Sequence, residues 1–396
     1  MLELLPGQLA PGEQEKLIRL GGWLPFEPAA QLFTAFTGIA VSKSSCRRLT
    51  EKGGQVLVNE QEAAVQAMEA GELVTPEQVA EQLVLSTDGC MVSLVGGEWA
   101  EVRTLVIGEV GVGETAEGGM ETSLHTLSYF SRLTDAVSFQ RAALVETERR
   151  GVLQAQAVAA VTDGAEWIQQ FVDYHRPDAV RILDFPHAAE RFTTIHHACR
   201  DQAVELEDDW PAKRSHQLKE EGGTAVLTSL RALQKAYPQV TLDEPLMYLD
   251  KREKMLDYPQ FLAAGWPIGS GAVESANKLV VQARLKGPGM HWHREQVNPM
   301  LALRNVICND RWQESWPTLS KGLRQKQSLP LPVETEPPQP TPNLVSAYFK
   351  EMQRHHLAWE QLQIEASKAK PKKPWKPAPD HPWRRYPSPH PQSAKK

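Results

Sequence analysis

The sequence predicts an α/β protein: a mixed sheet core interrupted by an all-helical insertion, with a helical domain before it and a disordered tail after it. Three observations carry this. Runs rich in Leu and Val begin at residue 82 and alternate with helical patterns to about residue 200. The strand signal then stops until residue 264, across a stretch whose apolar residues recur at helical spacing. Beyond residue 320 proline-rich and basic segments replace both patterns. The 396 residues suit two or three domains of about 150 each. A hydrophobic share of 41% supplies a core, and only 23% charged residues excludes a wholly disordered or fibrous chain.

Residues 1–80 read as a helical domain. Gln31-Leu-Phe-Thr-Ala-Phe36 sets apolar side chains at helical spacing, Gly38-Ile-Ala-Val41 makes a turn, and Ser42 caps a second, basic helix. That is the helix-turn-helix outline. Lys43, Arg47 and Arg48, with Lys52, would line the second helix where a recognition helix meets a major groove. An ordinary helical hairpin with a solvated basic face fits equally well.

Residues 81–200 form the first part of the core. A strand over 82–88 continues through 91–95, turns at Gly96-Gly97 and returns over 98–110. A third strand lies near 123–130, and a helix follows over 136–151. An apolar strand over 157–162 ends in Asp163-Gly164; then come a helix (165–175), a strand (179–184) and a helix (187–200). Three antiparallel strands followed by helix, strand, helix, strand, helix is the order of a ribonuclease H-like domain. A doubly wound sheet lacks the opening meander. In the helical insertion, 201–264, Val226, Leu230, Leu233 and Tyr237 keep helical spacing. Residues 265–320 return to the core with a long helix carrying Glu274. Residues 321–396 supply a proline-rich linker, a short helix over 343–368 and a basic disordered tail.

The net charge of −6 is unevenly spread. Residues 331–396 hold 11 basic and 6 acidic side chains, a net of +5, which leaves −11 on the rest. An acidic body is not a simple phosphate-binding module, so any nucleic acid must be met by local basic faces and the tail. Cys46, Cys90, Cys199 and Cys308 lie far apart with no CxxC pair, against a disulfide scaffold or zinc ribbon and in keeping with a reducing cytoplasm. No apolar run is long enough to cross a bilayer, and the first residues have no basic-then-apolar signal. The expectation is a soluble cytoplasmic protein with no membrane partner.

Three acids sit where a nuclease site would want them: Asp88 on the first strand, Asp163 at the end of the fourth, and Glu274 opening a helix after the insertion. Converging carboxylates repel one another and need protons or cations. Two magnesium ions about 3.5–4 Å apart answer this while activating the attacking oxygen and stabilising the leaving one. Hard carboxylate oxygens suit magnesium, and no Cys/His spacing suits zinc. The separation of 111 positions from Asp163 to Glu274 is no obstacle, since each doubling of a loop costs only about 0.6 kcal/mol. Asp184, at another strand end, is a rival to Asp163. Ser270 is not in a G-x-S-x-G elbow and reads as a helix cap, and the glycines from Gly108 lack the Gly-Lys-Ser/Thr of a phosphate loop.

The residues around these acids resemble a known family. Ser86-Thr-Asp88-Gly, Thr162-Asp163-Gly-Ala-Glu-Trp-Ile, Ile182-Leu-Asp184-Phe-Pro-His187-Ala and Gly269-Ser-Gly-Ala-Val-Glu274-Ser-Ala-Asn-Lys278 are similar to insertion-sequence DDE transposases, within the Mutator-related branch of ISKra type. The run Gly269 to Trp292, with Arg284-Leu-Lys-Gly-Pro-Gly-Met-His-Trp292, is the most specific part, and His381-Pro-Trp-Arg resembles the family's tail. The resemblance implies a ribonuclease H-like core with Asp88, Asp163 and Glu274 as catalytic, metal-binding residues. Two magnesium ions would be the cofactor, with manganese able to substitute. Asp184 and His187 match the family's Cys/Asp-x-x-His motif as site-supporting residues, which leaves Asp163 as the second acid. Lys278, Arg284 and Lys286 would meet DNA phosphates and Trp292 would stack on an unpaired base, unless these are a solvated face and a core tryptophan. The implied activity is to bind terminal inverted repeats, hydrolyse the 3′ strand ends and join them to target DNA, as a homo-oligomer in the synaptic complex. A catalytically inactive, transposase-derived DNA-binding regulator is the alternative. A glycosidase, which needs only two acids and no metal, is a third.

Overall fold

A computed structural model of the chain describes residues 9–72, 74–114 and 120–324. The linker, the helix over 343–368 and the basic tail lie outside the described residues. Three helices open the chain: α1 (Pro11–Trp23), α2 (Phe26–Thr37) and α3 (Lys43–Glu69). The turn between the last two is built as its residues dictate. Gly38 takes the left-handed conformation (φ 72°) that ends a helix, and the Ser42 hydroxyl accepts from Ser45 N to start the next.

The strands are β1 (Gln82–Ser93), β2 (Trp99–Glu114) and β3 (Met120–Arg132), followed by α4 (Ala136–Ala142) and α5 (Leu144–Arg149) where one helix over 136–151 was expected. Then come β4 (Ala157–Thr162), α6 (Glu166–His175), β5 (Val180–Leu183) and α7 (Phe185–Asp201). The five strands form one mixed sheet of order β3-β2-β1-β4-β5. β1, β2 and β3 pair antiparallel, while β4 and β5 join parallel beyond β1. At the β1–β2 hairpin Gly96 and Gly97 have φ of 96° and 86°, which side-chain-bearing residues rarely adopt.

Alternation along the strands splits the core between the two faces. Leu83, Leu85, Leu105 and Ile107 pack with Phe139 and Phe171 of α4 and α6. Val84, Val161 and Ile182 pack with Phe192 and Ile195 of α7 and with the insertion. That insertion is helical, as expected: α8 (Trp210–Glu221), α9 (Gly223–Ala236), α10 (Asp243–Asp250) and α11 (Tyr258–Ala263). β4, covered on both faces, is buried at every residue, the usual state of a central parallel strand.

After the insertion the chain returns over the sheet as α12 (Gly271–Ala276), a π-helical stretch (Asn277–Gln282) and α13 (Ala283–Leu285). Helices α14 (Arg294–Cys308) and α15 (Trp312–Arg324) follow. They pack on the amino-terminal helices: Leu17, Ile18 and Leu57 share one core with Val92, Val102, Met300 and Leu303. The first 80 residues therefore do not close a core of their own. Among the described residues no helix is long and apolar enough to cross a membrane, and the four cysteines are unbonded.

Candidate active site

Strand register sets the frame of the site. β1 pairs β4 with Leu85 opposite Ala160, and β4 pairs β5 with Thr162 opposite Leu183. Carried three residues and one residue further, those registers bring Asp88, Asp163 and Asp184 to one level across three neighbouring strands, whose spacing is about 4.8 Å. On the other side of Asp88 the same level continues through Thr104 and Ser131, whose buried hydroxyls bond at 2.9 Å. One rung of the sheet is thus polar from edge to edge, flanked on one side by Leu105 and Phe130 and on the other by Arg103 and Arg132.

Asp88 is half-buried. Its Oδ1 accepts from Gly89 N at 2.7 Å and its Oδ2 from Asn277 Nδ2 at 2.9 Å. Burial lifts its carboxyl above the usual range; the Asp163 charge pushes the same way, and the Gly89 and Asn277 hydrogen bonds and His187 only partly offset this. Asp163 is also half-buried, and its Oδ1 accepts from Ala165 N at 2.8 Å. The insertion holds its backbone: Tyr248 Oη donates to Asp163 O at 2.6 Å, and Arg252 donates from Nε (3.1 Å) and a terminal nitrogen (2.7 Å) to Gly164 O. Gly164 is required here twice over, by its φ of 77° and because a Cβ would lie 2.2 Å from Arg252 Nε.

Asp184 is 1% exposed and fully engaged. Its Oδ2 takes His187 N at 3.1 Å and His187 Nδ1 at 2.6 Å, capping α7. Its Oδ1 takes Ser270 N at 2.6 Å. Ser270 thus stands at the head of α12 held by its backbone N–H, and its hydroxyl makes no capping bond, contrary to the expected cap. Asp184 ties β5 to the helix that carries Glu274; with three hydrogen bonds on its two oxygens and no open surface, it is the less able of the two strand-end acids to take a ligand.

The Asp184 bond is the largest cause raising the His187 imidazole above its ordinary value. A histidine whose folded value is raised adds stability that is full below its unfolded value, about 6.5, and lost as pH rises through the folded value. We therefore expect the His187→Gln protein to lose less thermal stability than wild type as pH rises above 6.5. Parallel stability profiles for the two would remove this role.

Glu274 lies on α12, exposed, one helical turn before Asn277. Val273 and Ala276 seat that helix on Val106 of β2. Among the described residues no three His, Cys, Asp or Glu side chains are gathered closely enough to hold a metal ion together. In donor chemistry the site suits a hard divalent cation: two neighbouring carboxylates repel one another, and the buried Asn277 Oδ1 has no hydrogen-bond partner. Asp88 and Asp163 are the neighbouring pair that would hold it, and Glu274 is not gathered with them into a three-ligand cluster.

Of the basic residues expected to meet DNA, Lys43, Arg47, Arg48, Lys278 and Lys286 are exposed. Lys43 and Arg47 make only loose pairs, with Glu27 at 3.4 Å and Glu51 at 3.9 Å. Arg284 and Trp292 are inside the protein, and the DNA contact expected of them gives way. Arg284 is 1% exposed, donates to Gly21 O at 2.9 Å and lies against the rings of Phe26 and Trp292. Burial, with Arg304 nearby, pulls its guanidinium down to about 10, so it stays charged at neutral pH. Trp292 donates from Nε1 to Leu285 O, and its backbone pairs with the hairpin at Ser93 and Val95. The chain matches no family model, and no curated protein matches it.

Sequence reasoning missed Tyr248 and Arg252, which hold the Asp163 turn, because nothing local marks a residue of a helical insertion as reaching back to a strand end. It also missed Asn277, although the spacing from Glu274 put a signal in view: three residues on, the two share a helix face.

Proposed function

We propose that this chain is a metal-dependent DNA transposase of the DDE kind, built on a ribonuclease H-like core. The carrying observation is the pair Asp88, on β1, and Asp163, one residue past the end of the adjacent parallel strand β4, close enough that one charge raises the other's carboxyl. The strand order β3-β2-β1-β4-β5, an antiparallel meander extended by two parallel strands, supports the fold reading. The helix of Glu274 lies over the same rung, joined to it through Asn277.

When bound, a pair of magnesium ions supplies activation of the attacking oxygen and charge relief at the leaving oxygen. The protein's part is orientation. Gly89 and Asn277 fix the Asp88 carboxylate, Tyr248 and Arg252 fix the Asp163 turn, and Asp184 fixes the start of α12. Lys278 and Lys286, exposed on and just after the helix of Glu274, are placed to meet phosphate oxygens beside the acids. Lys43, Arg47 and Arg48, at the positive end of the 27-residue α3, are the proposed contacts to terminal-repeat DNA. Joining two DNA ends implies more than one copy of the chain.

The test is a strand-nicking assay on a duplex carrying the inverted repeats that bound the coding region. Nicking at the repeat end in magnesium, silenced by chelator, is the expected outcome. Binding of that duplex with no nicking in magnesium or manganese would leave the regulator reading in its place, and hydrolytic activity that ignores chelator would point to a two-carboxylate hydrolase.

A further inference from the structure

Asn277 is the polar exception on an apolar surface. Its neighbours Val273, Ala276, Val280 and Val281 are all buried hydrophobics, and Asn277 itself is 3% exposed. One half of its amide is used: Nδ2 donates to Asp88 Oδ2 at 2.9 Å. The other half, Oδ1, is buried with no hydrogen-bond partner. An orphaned buried carbonyl costs about 1–3 kcal/mol, so folding alone would favour an apolar side chain of similar size. The backbone is also unusual at this point. Asn277 opens the six-residue π-helical stretch inserted between α12 and α13, a wide turn that is rare and recurs at functional sites. Two costs, one in hydrogen bonding and one in helix geometry, meet at the residue that hydrogen-bonds Asp88 from the helical stretch following Glu274.

Resting on the transposase reading above, we infer that Asn277 is the positioning residue that holds Asp88 ready to bind a divalent cation. The geometry allows the hold to persist when an ion arrives. Each carboxylate oxygen has about two lone-pair directions; Gly89 N takes one on Oδ1 and Asn277 Nδ2 takes one on Oδ2, leaving one direction open on each. The bond fixes the Asp88 rotamer, favours the ionised carboxylate, and sets the spacing between β1 and the helix three residues beyond Glu274. It ties the strand acid and the helix acid together before any ion binds. Hydrogen-bond partners of metal-ligating carboxylates behave this way, and losing one typically weakens metal binding or activity about 10–100-fold.

The experiment compares full-length wild type, Asn277→Leu, Asn277→Ala and Asp88→Asn. For each, the unfolding temperature is followed as magnesium chloride alone is added, and end-nicking is followed at each magnesium concentration. Asn277→Leu keeps the volume and removes the orphaned oxygen, so its metal-free unfolding temperature is expected to match or exceed that of wild type. Its half-saturating magnesium concentration should rise about 10–100-fold, with nicking recovered as magnesium is raised. Asn277→Ala should show the same metal shift and reports in its place if leucine does not fit. A metal-free loss of stability in both variants, with magnesium dependence within twofold of wild type, would make Asn277 merely structural and overturn the inference. The larger reading fails separately: if Asp88→Asn responds to magnesium and nicks as wild type does, Asp88 is not a ligand at all. If Asp88→Asn loses both while the Asn277 variants keep both, only the role given to Asn277 falls.

Discussion

Asp88→Asn is expected to abolish end-nicking while leaving duplex binding intact, and to make the metal-free protein more stable. The two effects have one cause. Burial and the neighbouring Asp163 charge raise the Asp88 carboxyl, so ionising it at neutral pH works against the fold. For an acid raised in the folded state, stability falls as pH climbs from the unfolded value towards the folded one and stays reduced above it. The amide variant escapes that cost. Its advantage in unfolding temperature should be greatest at neutral pH without metal and vanish in acid, where both proteins are uncharged at this position. The amide can still offer its one oxygen to Asn277 Nδ2, at the loss of the Gly89 N–H bond on the other side, so the packing of α12 survives. What it cannot offer is a charged ligand. Relief of transition-state charge at such a site is worth several kcal/mol, and each 1.36 kcal/mol is tenfold in rate, so a loss of about a thousandfold or more is expected. An Asp88→Asn protein that nicks at the wild-type rate would remove Asp88 from the chemistry. One that is less stable than wild type in metal-free buffer at neutral pH would show that the carboxylate is not strained.

Gly54→Ala is expected to be the most damaging one-carbon change in the amino-terminal half. α3 crosses α14 with backbone against backbone at this point. A Cβ on residue 54 would stand 2.1 Å from Pro299 O, 2.5 Å from Pro299 C and 2.9 Å from Pro299 Cα. Backbone atoms have no rotamer into which to withdraw, so the helices must separate, and the shared core of Leu17, Ile18, Met300 and Leu303 must open with them. In an exposed helix the same change would gain about 1 kcal/mol from propensity. Here overpacking reverses the sign, with a net loss of about 3 kcal/mol expected. Gly53 is the internal control: its added Cβ meets only side chains, Ile18 at 3.1 Å from Cγ2 and 3.3 Å from Cδ1 and Leu319 at 3.7 Å from Cδ2, which can shift. Denaturant unfolding of the two single variants decides the matter, and equal midpoints would show that the α3–α14 crossing is looser than drawn.

The strand-turn-strand run from residue 82, the Gly38 turn, the Ser42 cap and the helical insertion were legible because each is written in neighbouring residues. Alternation, capping chemistry and left-handed glycine act over a few positions and need no partner from elsewhere. The same holds for Asp88 and Asp163: each sits at a strand position that the apolar pattern identifies, and adjacency of the first and fourth strands puts them together. Glu274 could be placed on a helix and no further.

Arg284 and Trp292 show where local reading stops. From the sequence the basic residue reads as a DNA contact or a solvated face, and the aromatic as a base-stacking contact or core. Only the arrival of Phe26 and Gly21, more than 250 residues earlier in the chain, decides that they are core. The amino-terminal helices likewise look separate until α14 is seen to complete their core. Sequence alone determined the run of strands, the helical insertion and that Asp163 and Asp184 stand at strand ends, because those are set by forces between near neighbours. Tertiary structure alone decided which charges are buried, that Asp184 is spent on Ser270 and His187, and that Asn277 meets Asp88. Those outcomes depend on which faces close on one another across long stretches of chain, and no local pattern encodes that.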